Sequence, residues 1–505
     1  MIRFYDCIVV GLQPAGLITA ALLTKRGFNV AVVDHNELPC SYEEKGRRFP
    51  LAPSLTPNLH QSDIVRSIHQ ELGCSSLFQE QAKANHFQAV LSKNRLDIRP
   101  TTAELIKEFH KELPNEAPIA QLFLEHLENL QADISNYLGH FPPLPPYTMR
   151  ERWSQRGSWA NQFPHLNESF WESELYHLLP PDTPLSRLLL SPLSFMGYLP
   201  QKGLSLLQAA RLLYHAFQGI LTFETPIDEP VTSLVRMVEQ QGATVYHNVG
   251  VREFFVKHRR VFQCTLRNGD TLTGGFFISN FAGSLADLFP TQRQMERYAE
   301  NEETLQPSGT LLSLNIVVNN EVIPEGMATT LLLLNGRQRP RNDFPPDPPI
   351  VVRQYPAPRA PDAELPTANS AQTILTVACP VALSALASKS QLDKFSLQIL
   401  KRLERLIPFL SDHIEFTSNP LEHLASSNSS GTPNGAWNVH PIFASTTPQQ
   451  LGIASRGIQT PFKNCFRAGR DILPGLGLEG EYLSGLAIAD KVAQLLVNRT
   501  NDPIT

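Results

Sequence analysis

The residues of this chain best suited to chemistry lie near its start. Val9-Val10-Gly11-Leu12-Gln13-Pro14-Ala15-Gly16-Leu17 approximates G-x-G-x-x-G, the pattern of a phosphate-cradling turn. In that pattern the first glycine makes the tight turn and the second lets a pyrophosphate approach the backbone. The third lets the helix pack on the strand. Gly11 and Gly16 fill the first and third places, and Gln13 stands in the second. A glutamine there either donates its amide to a phosphate oxygen or obstructs it, and the sequence leaves both open. Pro14 suits the first turn of a helix, where a missing N–H is no loss. Asp34, closing the next strand, is the acid placed to take ribose hydroxyls. The competing reading is a fold that kept its packing glycines and lost its ligand.

Other chemistry is thin. Gly-x-Ser-x-Gly is absent, so no nucleophile elbow is visible. The cysteines, Cys7, Cys40, Cys74, Cys264, Cys379 and Cys465, include no C-x-x-C pair. Zinc ribbons, thioredoxin-like chemistry and a disulfide framework are not expected. His60, His69, His86 and His110 have no second ligand at metal spacing and read as surface or capping residues, so no metal site is expected. His258-Arg259-Arg260 reads as a solvated turn, with a phosphate contact as the minority reading. No paired titratable residues stand out as general acid and base, and no catalytic residue is named.

Around the turn, residues 5–10 read as a buried strand, residues 17–26 as a helix stopped by Gly27, and residues 28–33 as a second strand. This is a βαβ opening of the dinucleotide-binding type. Residues 102–140 predict two helices parted near Pro114, ended by Pro142, Pro143, Pro145 and Pro146. Helical patterns also cover 183–219, 230–241, 391–407 and 486–497. Strand-like runs cover 244–256, 261–267, 271–279, 310–318, 329–334 and 373–379, with Asn268-Gly269 as a hairpin turn. Pro-rich stretches at 339–349 and 356–366 read as loops.

The 505 residues leave room for about two to four domains. Lys and Arg number 43 against 48 Asp and Glu, a net charge of −5. That balance argues against nucleic acid as a partner, because phosphate contacts need a basic excess. No apolar run reaches the ~18 residues of a spanning helix, and Asp6 interrupts any signal-peptide core. The expectation is a cytoplasmic protein, with peripheral membrane contact left open.

The chain resembles the phytoene desaturase-like branch of the FAD-dependent flavoproteins, related to amine oxidases, over nearly its whole length. Three blocks carry the resemblance: the Gly11–Gly16 turn with its Pro-Ala-Gly, the block Pro230–Asn280 ending in Ile278-Ser279-Asn280, and the C-terminus. The C-terminal block runs Asn464-Cys465-Phe466-Arg467-Ala468-Gly469, Pro474-Gly475-Leu476-Gly477-Leu478-Glu479-Gly480, Ser484-Gly485 and Ala489-Asp490. The resemblance implies an α/β, two-domain flavoprotein fold. Its Rossmann-like FAD-binding domain, with a β-meander, is discontinuous over 1–95, 225–285 and 430–505. An inserted α+β substrate domain covers 96–224, mostly helical, and 286–429. The implied nucleotide set is Gly11, Gln13, Ala15, Gly16, Asp34, Val251, Asp471, Gly477 and Gly480, with Val251 against the adenine. The implied activity is FAD-dependent oxidation, desaturation, saturation or isomerisation of an apolar substrate, of the isoprenoid or other lipid kind, held by 183–220 and the strands near 310–334.

The departures cluster on the flavin side. Leu38-Pro39-Cys40-Ser41-Tyr42 replaces the family's Gly-Gly-Arg, Ala52 stands at a glycine place, and Arg470 fills a slot that often holds Asp or a small residue. Arg47 or Arg48, in the cluster Glu43–Arg48, is a candidate replacement for the missing arginine. The alternative function is therefore a non-catalytic relative that binds a lipid or a protein without its cofactor.

Overall fold

Two sheets organise the chain in a computed structural model, which describes residues 3–35, 41–53, 55–74, 82–140, 178–180, 183–201, 204–223, 229–281, 288–289, 291, 307–334, 348–356, 372–386, 389–422, 440–444 and 457–501. Helices are numbered among these residues. The first sheet begins with β1 (Arg3–Val10) and β2 (Val30–Val33), joined by α1 (Pro14–Lys25). Its later strands are β9 (Thr244–Tyr246), β10 (Val251–Lys257), β11 (Arg260–Leu266), β12 (Thr271–Ser279) and β19 (Cys465–Arg467). The order is β10-β11-β12-β1-β2-β9, with β19 also beside β12. β9, β2, β1, β12 and β19 run parallel, whereas β10 to β12 form an antiparallel meander. The register sets Val10 beside both Val33 and Ser279, so three strand ends converge at Gly11.

The second sheet is eight-stranded. It contains β6 (Phe87–Val90), β7 (Arg95–Ile98), β13 (Pro307–Asn319), β14 (Thr330–Leu333), β15 (Ile350–Pro356), β16 (Gln372–Ala382), β17 (Ile414–Ser418) and β18 (Pro441–Phe443). Its apolar runs are long because both faces are covered: Leu312 to Val318 of β13 are all buried. β6 pairs with β14 in this sheet, so the chain crosses into it before residue 95. β3 (Ser41–Glu44) and β4 (Arg47–Pro50) form a separate hairpin, and β5 (Ala82–Asn85) pairs with β8 (Ile220–Phe223).

Helices fill the space beside the sheets. They are α2 (Asp63–Leu72), α3 (Thr102–Glu112), α4 (Ala117–His140), α5 (Pro184–Leu190), α6 (Leu193–Met196), α7 (Leu206–Phe217), α8 (Glu229–Gln240), α9 (Lys389–Glu404) and α10 (Gly477–Asn501). α3 and α4 part around Pro114 as expected. The helical stretch 183–219 is three helices, and α7 starts at a capping box in which Ser205 and Gln208 bond reciprocally. The leucines of α5 to α7 lie in the main core, each worth ~1.5–3 kcal/mol by burial.

Several expected boundaries move, each for a local reason. α1 begins at Pro14, not Leu17, so Gly16 is helical. α10 begins at Gly477, not Leu486, because Gly480 and Gly485 mark close packing and not a loop. A Cβ on Gly485 would lie 2.7 Å from the Ala15 carbonyl oxygen of α1. The run 244–256 splits into β9 and β10 at Asn248 and Gly250, whose φ values are +54° and +65°. The Asn268-Gly269 hairpin forms as expected, with Gly269 at φ +90°. His258 and Arg259, both at positive φ, make the tight turn between β10 and β11. His69 is buried against Tyr482, not at the surface, and burial lowers its pKa to about 4. The stop at 142–146 lies outside the described residues, as do the Pro-rich loops apart from their ends. No helix among the described residues is long and apolar enough to cross a membrane, and no metal-binding cluster is found among them.

Candidate functional site

The Gly11 turn is shaped by the strand that crosses it. The Gly11 N–H donates to the Val33 carbonyl at 2.8 Å, and the Asn280 N–H donates to the Val10 carbonyl at 2.7 Å. Gly11 has φ +111°, and a Cβ there would lie 1.8 Å from the Asn280 carbonyl oxygen. A Cβ on Gly16 would lie 2.3 Å from Asn280 Oδ1. Both fingerprint glycines thus make room for Asn280, which is 0% exposed and whose amide atoms have no hydrogen-bond partner among the described residues. Gln13 is the N-cap of α1 in an extended conformation, without a side-chain cap. Its Oε1 lies 3.2 Å from the position a Cβ on Gly469 would take. The glutamine therefore reaches across from the start of α1 to the turn after β19.

The end of β2 is engaged on every side. Asp34 donates its N–H to the Tyr246 carbonyl at 2.9 Å, and its own carbonyl accepts from Gly250 at 2.8 Å. Its carboxylate Oδ2 accepts the Asn248 N–H at 3.1 Å. The next residue, His35, is only 2% exposed. Its Nδ1 accepts the Val251 N–H at 3.0 Å, and its ring lies 4.6 Å from that of Phe281. An accepting Nδ1 must be unprotonated, which puts any single ring proton on Nε2. Sequence reasoning missed His35; its position next to Asp34 was the available signal.

At the other end, Gly469 has φ +144° and leads through Arg470 and Asp471 to α10. The Asp471 carboxylate flanks Gly469, with Oδ1 3.4 Å from the position of a Cβ there. A Cβ on Gly477 would lie 2.0 Å from the Met196 carbonyl oxygen, and one on Gly480 would lie 2.4 Å from that of Leu473. These glycines serve contacts within the chain. Glu481 is buried beside them. Its Oε1 accepts the Tyr198 hydroxyl at 2.8 Å and lies 3.7 Å from Arg470 Nε. Oε2 has no partner that meets hydrogen-bond geometry. Burial raises the Glu481 pKa, and Arg470, Tyr198 and Ala15 offset only part of that rise. The Arg470 guanidinium lies 5.4 Å from the Tyr198 ring centre. Nearby His440 is driven down to about 3 by burial and by Arg470.

A second polar cluster was also missed. Arg211 of α7 grips Glu479 of α10 through two nitrogens, with Nε to Oε2 at 2.6 Å. Ser62 donates to the same carboxylate, and His215 Nε2 lies 3.2 Å from it. All four side chains are buried. Burial pushes the Glu479 pKa up, but Arg211 and His215 outweigh it and hold the group well below the usual carboxylate range. The readable signal was Arg211 and His215 at helical spacing in an otherwise apolar helix.

A dinucleotide held as the resemblance implies needs free N–H groups at the start of α1, a carboxylate for the ribose and Val251 against the adenine. In this arrangement the Asp34 carboxylate holds the Asn248 N–H, and the Val251 N–H is held by His35. The residues as placed do not fit a bound FAD. Arg47 and Arg48 supply no replacement: Arg47 pairs with Glu415 at 3.1 Å and Arg48 bonds Ser41, because the β3–β4 hairpin carries them to the second sheet.

No family profile and no curated protein matches the sequence. Solved structures do match the fold. An oxidoreductase from Methanosarcina mazei superposes with a TM-score of 0.58 at 14% identity, over 96% of this chain and 99% of that one. Putrescine oxidase bound to putrescine superposes with a TM-score of 0.56 at 13% identity, over 98% and 100%. A Rab GDI from Plasmodium falciparum superposes with a TM-score of 0.50 at 11% identity, over 97% and 98%. At such identities the likeness establishes architecture and nothing finer. This chain has the two-domain flavoprotein fold, an architecture shared by proteins named as oxidases and by one named as a Rab GDI.

Proposed function

We propose that this chain is a binding protein on a flavoprotein scaffold, taking an apolar ligand without flavin chemistry. One observation carries this reading: the Val251 N–H is given to a buried imidazole of the same chain. An adenine placed against Val251 would meet a backbone N–H already engaged by His35, whose ring packs on Phe281. Leaving a buried donor unmatched costs about 1–3 kcal/mol.

The second reading is an FAD-dependent oxidoreductase of the phytoene desaturase-like or amine oxidase-related kind, acting on an apolar substrate. Asn280 favours it, because a fully buried amide without partners beside Gly16 is what a bound group would satisfy. Gly11, Gln13, Ala15 and Gly16 would then meet the pyrophosphate, Asp34 the ribose and Val251 the adenine. Asp471, Gly477 and Gly480 would lie on the flavin side. The flavin would supply the hydride acceptor or donor, and the protein would bind, orient and exclude water.

Purified protein decides between them. The expected result is a colourless protein that releases no flavin on denaturation and takes up no added FAD. Stoichiometric flavin, bound on purification or on addition, would establish the second reading and overturn the first.

A further inference from the structure

The first sheet ends at β10, and the far edge of that strand is open over most of its length. β10 is last in the strand order, and among the described residues no strand continues the sheet beyond it. Asp34 and His35 close the edge only at its start, where they accept the N–H groups of Gly250 and Val251. Further along, the hairpin sets which groups face outward. His258 and Arg259 both have positive φ, the tight turn that makes Lys257 and Arg260 a hydrogen-bonded pair. Such pairs alternate along an antiparallel ladder, so Phe255 and Glu253, opposite Gln263 and Thr265, also turn their backbone groups toward β11. The N–H and C=O groups of Phe254 and Val256 therefore point to the open edge. The side chains follow the same alternation. Phe254 is buried, whereas Glu253 is half-exposed and Phe255 and Lys257 are exposed on the outer face. Phe255 is 54% exposed, and Phe262 on β11 is 42% exposed. An edge with outward backbone groups and exposed aromatic rings is a template for another strand.

We propose that β10 is a pairing edge for a second copy of this chain, joined antiparallel about a two-fold axis at Phe255. The run Glu253-Phe254-Phe255-Val256-Lys257 is self-complementary in that register. Glu253 of one copy lies opposite Lys257 of the other, and the symmetry repeats the pair. Phe255 lies opposite Phe255. Phe254 and Val256 exchange backbone hydrogen bonds across the axis, because theirs are the outward groups. A two-residue slide either way keeps hydrogen bonds but sets Phe255 opposite Glu253 or Lys257, and so parts the rings. The Glu253 carboxylate meets Arg252 of its own strand at 2.7 Å, and the pairing adds a cation from the other copy. The open stretch is short, far below the extent of an obligate interface, so the association is weak and concentration-dependent. It lies outside the cleft and goes beyond the binding-protein reading without depending on it.

Sedimentation velocity of the full chain over a dilution series tests this. Wild type should shift from monomer to dimer as concentration rises. Lys257→Glu sets like charges opposite each other on both sides of the axis and should weaken association by about tenfold or more, since the symmetry counts each pair twice. The double swap, Glu253→Lys with Lys257→Glu, restores opposite charges and should regain most of that loss. Val256→Pro removes an outward N–H while leaving the β10–β11 ladder its hydrogen bonds, and should abolish the dimer with an unchanged far-UV circular dichroism spectrum. If that variant fails to fold, the charge variants at the outer face carry the test. A chain that stays monomeric at every concentration, or a dimer indifferent to Lys257→Glu, would overturn the proposal. So would a double swap that associates no better than Lys257→Glu alone, because the two charges would then not face each other.

Discussion

Glu479 and Glu481 share the start of α10 and are equally buried, each 1% exposed, yet their surroundings drive them in opposite directions. Glu479 meets the Arg211 fork, the Ser62 hydroxyl and His215, and its pKa falls. Glu481 meets one phenol and a more distant guanidinium, keeps an oxygen without a partner, and its pKa rises. Burial disfavours both charges alike. Partner number and distance decide the outcome. The difference also separates roles. A fully matched ion cluster fastens α10 to α7, whereas the Glu481 carboxylate is only partly matched.

The sharpest way to break this comparison is to remove a matched carboxylate. Glu479→Ala leaves Arg211 buried without its partner and should lower unfolding stability by about 3–5 kcal/mol in urea denaturation. A double variant, Arg211→Met with Glu479→Met, should lose less. Equal losses would show that packing and not the stranded charge sets the cost. Tyr198→Phe should cost less, about 1–3 kcal/mol, because it strips the hydroxyl from a carboxylate that is already short of partners. A loss as large as that of Glu479→Ala would make the two sites equivalent and sink the distinction.

The pH dependence separates the two acids by sign. The Glu479 folded pKa lies below its unfolded value, so its contribution is present above the unfolded pKa and is lost as pH falls through the folded one. The Glu481 folded pKa lies above its unfolded value, so its contribution is present below the unfolded pKa and is lost as pH rises through the folded one. Glu481→Gln should therefore remove a fall in stability with rising pH above ~4.3, at most about 1.4 kcal/mol per pH unit. Denaturation midpoints from pH 4 to 8 would read it, and an unchanged slope would contradict the assignment. His69 gives a separate signal of lowered pKa: its stabilising share is lost as pH falls from ~6.5 toward about 4, and His69→Gln should flatten that loss. The smallest effect is expected at the β3–β4 hairpin. Arg47→Glu with Arg48→Glu removes a half-exposed ion pair and should shift stability by no more than about 1 kcal/mol, with no effect on flavin content. A loss well above 1 kcal/mol would show that this pair, and not the hairpin packing, holds β3 and β4 to the second sheet.

Much of the first sheet was legible because its signals are local. The β1–α1–β2 opening, the Asn268-Gly269 hairpin and the break near Pro114 each follow from neighbouring residues acting on one another's φ and ψ or on one helical period. The start of α10 was misread for the same reason: Gly480 and Gly485 look like a loop locally, and only the closeness of Leu473 and Ala15 explains them. Sequence alone also marked the place of interest, through Gln13 in a glycine slot and Arg470 near the closing motif.

What occupies that place was decided only in three dimensions. Val251 meets His35 and Gly16 meets Asn280, and each pair joins residues far apart in the chain. Periodicity and turn chemistry determine which elements form and which face each buries. They carry no information about which side chain from a distant element arrives at an N–H group. That depends on how the sheet and helices pack, and so only the packed structure decides whether the N–H groups around the Gly11 turn face a ligand or the chain itself.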